Sequence, residues 1–287
     1  MEFTSKNLTF IVVTYHSKKV IYDCLNSIPK DFHKLIIENS SDDELKKELE
    51  QNYDNTKVIL SKNVGMGAGN NLGIIKSNTQ YVYVLNPDVL LKGDTLSKIN
   101  NSIKKLDDFA ILSPVSDNLN YPNFKTKKKI DLDENKFIEN VEEVDGYSMI
   151  INKNYFSDNN FFDEKFFMYL ENVDLCLRVR KENGKIFIVK NSKIHHLGAQ
   201  AVDSQYAKEI ELSRNWHWMW SKIYFNKKHR GALISILLGL SSLLGNFLNF
   251  LICTITFHEK KNIYKMRTSG VLNAMIGRQS WFRPKIN

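Results

Sequence analysis

Tyr81-Val82-Tyr83-Val84-Leu85-Asn86-Pro87-Asp88 sets an apolar run directly before a proline turn that ends in a carboxylate. Such a run reads as a buried strand of a sheet covered on both faces. Pro87 fixes its own φ and pushes Asn86 toward an extended conformation, so the strand stops there and Asp88 turns into the crevice beyond the sheet. That is where open α/β sheets bind ligands, and a carboxylate at such a spot suits a hard cation. Asn, Pro and Asp are also turn formers, so the tripeptide alone leaves a ligand and a strand-ending turn equally open.

Outward from this strand, β-like and helix-like segments alternate. Thr9–Val13, Leu35–Ile37 and Val58–Leu60 read as strands. Helical spacing marks 18–27, a charged helix over 42–51 with a Ser/Asp-rich start that can cap free amides, a helix from about Asn70 to Lys76 and one over 94–106. The alternation predicts a mostly parallel sheet with helices on both faces. After Phe109 come a short strand at 110–112, a polar Asn- and Lys-rich surface excursion to about Asn140, a strand over 144–151, a helix over 171–183 ended by Gly184, and a strand over 185–189 that leads to His195-His196.

Ala232 to Phe257 is about 26 residues without a formal charge, longer than the roughly 20 that cross a bilayer as a helix. Gly239, Ser241, Ser242, Gly245, Asn246 and Asn249 dilute it, so a span, an in-plane helix pair and a packed soluble hairpin are all open. Lys227-Lys228-His229-Arg230 precedes it and Lys260-Lys261 follows, and basic flanks on an apolar segment point to membrane contact. Trp216, Trp218, Trp220 and Tyr224 read as an interfacial aromatic belt. The expected division is a catalytic domain over 1–203 and a helical region over 204–287 with its apolar segment at about 232–257.

The formal charge of +8 over 287 residues admits nucleic acid, an anionic membrane or a phosphorylated substrate. Lys127-Lys128-Lys129 lies in a polar stretch, and no helix-turn-helix, zinc-finger or aromatic RNA-binding pattern occurs, so no nucleic-acid partner is expected. Cys24, Cys176 and Cys253 are far apart, which fits a reducing compartment without a disulfide framework or zinc knuckle. The apolar stretch Leu8–Val13 is too brief for a secretory core, so export is not expected.

Asn63 to Gly73 packs four glycines and three asparagines between a strand and a helix, which lets backbone approach a ligand closely. Asn70 stands where a dinucleotide fingerprint needs glycine, and no Gly-Lys-Ser/Thr follows, so neither that fingerprint nor a P-loop is present. Glu38 ends a strand, where a carboxylate can accept the single N3 hydrogen of uracil or thymine, or cap a turn. Glu171 opens a helix behind Phe166-Phe167-Met168-Tyr169, with Asp174 one turn on and Arg178 at the ion-pair interval from Asp174. An aromatic wall raises a carboxylate's pKa and makes it a usable proton acceptor. His195 and His196 follow the last strand, and a nitrogen donor beside Asp88 suits Mn²⁺ or Mg²⁺ with diphosphate oxygens completing the shell.

Val12-Val13-Thr14-Tyr15, Glu38-Asn39-Ser40, Asn63 to Gly73, Asn86-Pro87-Asp88, Phe162-Asp163-Glu164 to Tyr169, Glu171 to Arg178 and His195 to Gly198 follow one another in the order of the bacterial family 2 glycosyltransferases of GT-A fold. Within that family the chain resembles the rhamnosyltransferase-like enzymes of cell-envelope polysaccharide biosynthesis. The resemblance implies an inverting, metal-dependent transfer of a sugar from a nucleotide diphosphate donor, with dTDP-rhamnose favoured, to a hydroxyl of a growing lipid-linked glycan at the cytoplasmic face of the bacterial inner membrane. It implies a donor site of Thr14, Tyr15, Glu38, Asn63, Gly65, Gly67, Asn70, Asn71, Asn86 and Asp88, a metal (Mg²⁺ or Mn²⁺) on Asp88 and His195, with His196 the alternative, and a base at Glu171 or Asp174. Many relatives carry Asp-x-Asp where this chain has Asn86-Pro87-Asp88, and Glu-Asp where it has Glu171-Asn172. Asn cannot act as a base. The same residues admit a polyprenyl-phosphate glycosyltransferase and a catalytically silent nucleotide-sugar binder.

Overall fold

The computed structural model describes residues 1–104, 106–118, 120–127, 136–198, 200–284 and 286, so Lys128, Lys129 and the middle of the polar excursion lie outside the described residues. The chain divides into two compact units, one of Met1–Asp163 with Asn172–Asp203 and one of Glu164–Glu171 with Ser204–Asn287. The second unit thus includes eight residues that precede the boundary expected at 203.

The first unit opens with β1 (Leu8–Thr14), α1 (Lys18–Ser27), β2 (His33–Glu38), α2 (Asp43–Asn52), β3 (Thr56–Leu60), α3 (Met66–Lys76) and β4 (Tyr81–Leu85). Every residue of β1 and β4 is buried, as the unbroken apolar runs require for central strands. Asp42 caps α2 by accepting the Leu45 amide at 2.9 Å. The Gly-rich segment is helical from Met66, four residues before the expected start. A Cβ at Gly73 would lie 2.5 Å from Ile11 Cγ2 and one at Gly69 2.9 Å from Val13 Cγ1. These two glycines therefore serve the close seating of α3 on β1 rather than of a ligand.

After β4 follow β5 (Val89–Leu91), α4 (Thr95–Ile103), β6 (Ile111–Ser116), β7 (Phe124–Lys125), β8 (Ile138–Asn140), β9 (Glu143–Val144), β10 (Ser148–Asn152), α5 (Glu171–Lys181) and β11 (Ile186–His196). The strand expected over 144–151 is in fact two. β9 pairs with β7, the chain turns at Asp145-Gly146-Tyr147, and β10 then pairs antiparallel with β4. Asn183, at φ 61, takes the left-handed conformation that ends α5, one residue before the expected Gly184.

The main sheet has the order β3-β2-β1-β4-β10-β6-β11-β5, with β8 beside β11. β3, β2, β1 and β4 are parallel. The chain builds outward from β1 through β3 and then returns to the other side of β1 with β4. That reversal is a topological switch point, and the crevice at the carboxyl ends of β1 and β4 is the ligand position the topology dictates. The antiparallel β10 starts at the same edge, because Ser148 faces Leu85. β11 also ends there, because His196 faces Val89.

In the second unit, α6 (Ala207–Arg230), α7 (Ala232–Ile255) and α8 (Lys261–Met275) pack against one another. Trp216 and Trp220, one turn apart on α6, form their core with Ile223, Val271 and Ala274. Their indole nitrogens donate to Ser269 Oγ at 3.1 Å and to the Arg278 carbonyl at 3.0 Å. The aromatic-belt expectation is thereby corrected, since of the three tryptophans only Trp218 is exposed. Satisfied indole N–H groups let the other two fill a core.

α7 is one continuous helix rather than a hairpin. Its polarity is inverted relative to a helix of a water-soluble bundle. Ser235, Gly239 and Cys253 are buried, whereas twelve large apolar side chains between Leu233 and Ile255 are exposed, Leu237 by 60% and Leu244 by 61%. Ser235 Oγ donates to the Ile223 carbonyl at 2.9 Å, and a Cβ at Gly239 would come within 2.9 Å of Met275 Sδ. Small residues thus face the helix contact and leucines face outward, on a helix long and apolar enough to cross a membrane by length and composition.

Candidate active site

At the crevice, Thr14 is fully buried and its Oγ1 donates to the Ile37 carbonyl at 3.4 Å. The Asn39 amide donates to the Thr14 carbonyl at 2.9 Å, and Asn39 Nδ2 donates to the Gly65 carbonyl at 3.3 Å. Asn63 Oδ1 accepts the Gly65 amide at 3.3 Å, and Gly65 sits at φ 94, where a side chain would be strained. Three loops from three parallel strands thus meet in one hydrogen-bonded corner. Asn39 Oδ1 is buried in that corner without a partner among the described residues. Tyr15 follows β1 and donates its amide to Ser17 Oγ at 3.0 Å. Gly67 and Asn70 lie buried on α3 behind the corner.

Asp88 is only 1% exposed. Its carbonyl accepts the Leu197 amide at 2.9 Å, which ties the end of β11 to the turn after β4. Asp88 Oδ2 accepts the Gln200 amide at 3.2 Å and stands 3.4 Å from His196 Nε2. Oδ1 is buried with no hydrogen-bond partner among the described residues. An ionised oxygen left bare in a low-dielectric site is costly unless a positive group meets it. The imidazole of His196 is stacked on Tyr147 at 4.0 Å, and the Tyr147 carbonyl accepts the Asn86 amide at 3.0 Å. A hard carboxylate oxygen and an imidazole nitrogen fixed side by side fit a divalent cation that takes its remaining ligands from diphosphate and water. Among the described residues no group of three or more His, Cys, Asp or Glu side chains that could hold a metal ion is present.

The segment after β11 closes the crevice from one side. Gln200 binds Asp88, the Ala201 carbonyl accepts Ser17 Oγ, and the Asp203 amide donates to the His16 carbonyl at 2.9 Å.

Several expected site residues have other work. His195 and His196 alternate across β11, so His195 points away from Asp88 and pairs through Nδ1 with Asp117 at 3.1 Å. His196, not His195, is therefore the nitrogen beside Asp88. Both Glu38 oxygens are occupied by its own loop, Oε2 by the amides of Ser40 and Asp42 at 2.9 Å each and Oε1 by Ser40 Oγ. That is the turn-capping role, and it leaves Asn39 as the partnerless acceptor at this corner. Asn71 is pinned at both ends of its amide to the Phe162 backbone, at 2.8 and 2.9 Å. Asp174, fully buried, accepts Arg178 Nε at 2.9 Å, and the same guanidinium reaches the carbonyls of Asn160 and Phe161. This carboxylate clips a loop to α5 and is not free to take a substrate proton.

Glu171 is different. Its Oε2 is sealed from solvent without a hydrogen-bond partner among the described residues, and burial pushes the carboxyl up to about 7. Its neighbour Asn172 donates Nδ2 to the Val144 carbonyl at 3.0 Å. An aspartate there would set an oxygen against that carbonyl, so the amide suits the position that it occupies. Asp145, which follows Val144, is a carboxyl that sequence reasoning missed because it lay inside an assumed strand. Burial, with a smaller contribution from Glu143, raises it above the usual carboxylate range. Gly146 was the signal, since an isolated glycine in a strand pattern marks a break.

The glycosyl transferase family 2 pattern matches residues 9–177, which is every strand and loop of the crevice up to α5. The chain belongs to glycosyl transferase family 2. Among curated family members, it is 28% identical over 197 residues to the low-salt glycan biosynthesis hexosyltransferase Agl10 of Haloferax volcanii, covering 62% of this chain and 62% of that protein. It is 25% identical over 198 residues to rhamnosyltransferase WbbL of Escherichia coli K12, covering 59% of this chain and 75% of that protein. The match therefore spans about three fifths of the archaeal relative's length. Among solved structures, GalNAc-T7 with UDP, GalNAc and Mn²⁺ superposes with a TM-score of 0.54 at 14% identity, over 66% of this chain and 43% of that one. Residues 1–349 of Staphylococcus aureus TarS in complex with UDP give 0.50 at 15% identity, over 96% and 93%. The fold of this family 2 chain is accordingly GT-A-like, with the mixed, mostly parallel sheet that its motifs imply.

Proposed function

We propose that the chain transfers a sugar, with inversion, from a nucleoside diphosphate donor to a hydroxyl of a lipid-linked glycan at the cytoplasmic face of a bacterial membrane. The observation that carries this reading is Asp88 Oδ1, buried and bare beside His196 at the switch point of the sheet. The ring of a uracil or thymine base sits at the Thr14, Asn39 and Gly65 corner, where Asn39 Oδ1 accepts its N3 hydrogen. Asp88 and His196 would hold a divalent cation, which when bound would supply Lewis-acid neutralisation of the leaving diphosphate. The base role falls to Glu171, because a carboxyl near 7 is matched to taking the proton of an acceptor hydroxyl. The rhamnosyltransferase relative favours rhamnose as the sugar, and the resemblance of the motifs favours dTDP-rhamnose as its donor. Membrane contact is supported by the outward leucines of α7 and its basic flanks.

A thermal-shift screen of nucleotide sugars with Mn²⁺ tests the donor assignment, because a ligand that binds only the native state raises Tm. The expected result is a shift with dTDP-rhamnose that needs Mn²⁺ or Mg²⁺ and disappears in Asp88→Ala. A shift of equal size in EDTA would refute the cation.

A further inference from the structure

A cavity of about 790 Å³ lies wholly within the second unit, framed by the last turns of α6, the end of α8 and the chain that follows it. Five cations line it, Lys165, Lys227, Lys228, Arg278 and Arg283, against a single carboxylate, Glu164. None of the residues described as the active site takes part. Two of these cations are shelved on aromatic rings: the Arg283 guanidinium stands 3.7 Å over Phe167, and Lys228 Nζ stands 5.9 Å from the centre of Phe166. Arg283 is further fixed by Nη1, which donates to the carbonyls of Ser280 and Phe282 at 2.9 and 2.8 Å. Lys227 and Arg278 are exposed, and among the described residues neither has a carboxylate partner. Lys227, Arg278 and the ring-shelved Arg283 bring three positive charges to one hollow, and an anion among them relieves their mutual repulsion.

We propose that this cavity binds the phosphate of a membrane lipid headgroup. Position argues for a lipid rather than a soluble phosphate. Ile223 and Met275, the residues against which the first half of α7 packs, adjoin Tyr224 and Ala274, which line the cavity. The hollow is thus lined by neighbours in sequence of the α6 and α8 residues that seat α7, a helix whose outer face is leucine and isoleucine. A bilayer offers both complements at once, hydrocarbon for α7 and an anionic phosphate for Lys227, Arg278 and Arg283, at the depth where basic side chains meet headgroups. Arg and Lys together suit a phosphate monoester or diphosphate, with the guanidinium supplying paired N–H donors. The inference stands on the second unit alone, so it can fail while the transfer reaction stands, and the reverse.

Vesicle flotation of the full chain tests it, using phosphatidylcholine with and without phosphatidic acid. Lys227→Gln/Arg278→Gln is expected to weaken binding to the phosphatidic acid vesicles roughly 30-fold, with Tm unchanged. Lys227→Arg/Arg278→Lys keeps both charges and is expected to retain binding within about threefold. Lys260→Gln/Lys261→Gln removes equal charge from the far flank of α7 and is expected to lose less than about fivefold. An equal loss in the two Gln double variants would assign the effect to diffuse surface charge and overturn the cavity. Binding of inorganic pyrophosphate as tight as that of the vesicles, and lost in Lys227→Gln/Arg278→Gln, would make this a soluble-phosphate site and overturn the lipid. Binding indifferent to phosphatidic acid would leave apolar insertion alone and overturn both.

Discussion

Replacing Glu171 with Gln should make the protein more stable and less active, and the two effects share a cause. A carboxyl held near 7 rather than 4.5 costs about 3 kcal/mol to ionise above pH 8 in the folded chain. The folded-state pKa is raised, so stability present below pH 4.5 falls as the pH climbs through 7. Gln is neutral at every pH and has no such loss. The wild type and Glu171→Gln should therefore melt together at pH 4, separate as the pH rises from 4.5 to 7, and stay apart at pH 8.5, where the variant is favoured by about 3 kcal/mol, an increase in Tm of roughly 6–12 °C for a domain of this size. Turnover behaves in the opposite sense. Wild-type kcat should rise with pH to a plateau above 7, and the variant should lose about 10²- to 10⁴-fold at that plateau, the range for a general base. Differential scanning calorimetry across the pH series and initial rates at saturating donor check both halves. Near-normal kcat in Glu171→Gln would dismiss it as the base and direct attention to Asp145, the other carboxyl raised by burial. Parallel melting profiles would dismiss the raised carboxyl itself.

His196→Ala should abolish the Mn²⁺-dependent part of donor binding, whereas His195→Ala, which removes only an exposed partner of Asp117, should leave it within about twofold in a titration calorimeter. Asn172→Asp, despite restoring the family's usual residue, should lower Tm by about 1–3 kcal/mol in equivalent stability, since it exchanges a donor on the Val144 carbonyl for an oxygen. A variant as stable as wild type would place that amide outside the Val144 bond. Leu237→Asp/Leu244→Asp should release the protein from membranes into the soluble fraction without changing donor binding, because both side chains face outward. Retention in the membrane pellet after carbonate washing would contradict an immersed α7 face.

The parallel half of the sheet was legible because each strand carries a run of at least three β-branched, aliphatic or aromatic residues, and Tyr81–Leu85 forms β4 residue for residue. Asp88 was legible because a proline fixes where the strand must stop. What stayed hidden depended on side-chain partners and on β-pleat parity. His195 and His196 differ by one residue, and only the register of β11 against β5 decides which faces the crevice. Glu38, Asn71 and Asp174 had the right chemistry, but their atoms are committed to local hydrogen bonds that composition does not reveal. The glycines of 65–73 divide between a positive φ at Gly65 and helix-to-strand contact at Gly69 and Gly73, two causes that look identical in a string of letters. The tryptophans of α6 misled because a belt and a core share the same residue types, and helical phase separates Trp218 from its neighbours.

Leu197, Gln200, Ala201 and Asp203 tie together the two ends of the crevice. The Gln200 amide grips the aspartate, while the Ala201 carbonyl accepts Ser17 Oγ and the Asp203 amide donates to the His16 carbonyl. The turn after the first strand and the carboxylate after the fourth thus share an anchor that neither strand supplies by itself. Ser17→Ala removes the hydroxyl given to Ala201, so it should loosen that turn while leaving the Gln200 grip on Asp88, a difference that amide hydrogen exchange at Asp203 and Gln200 reads.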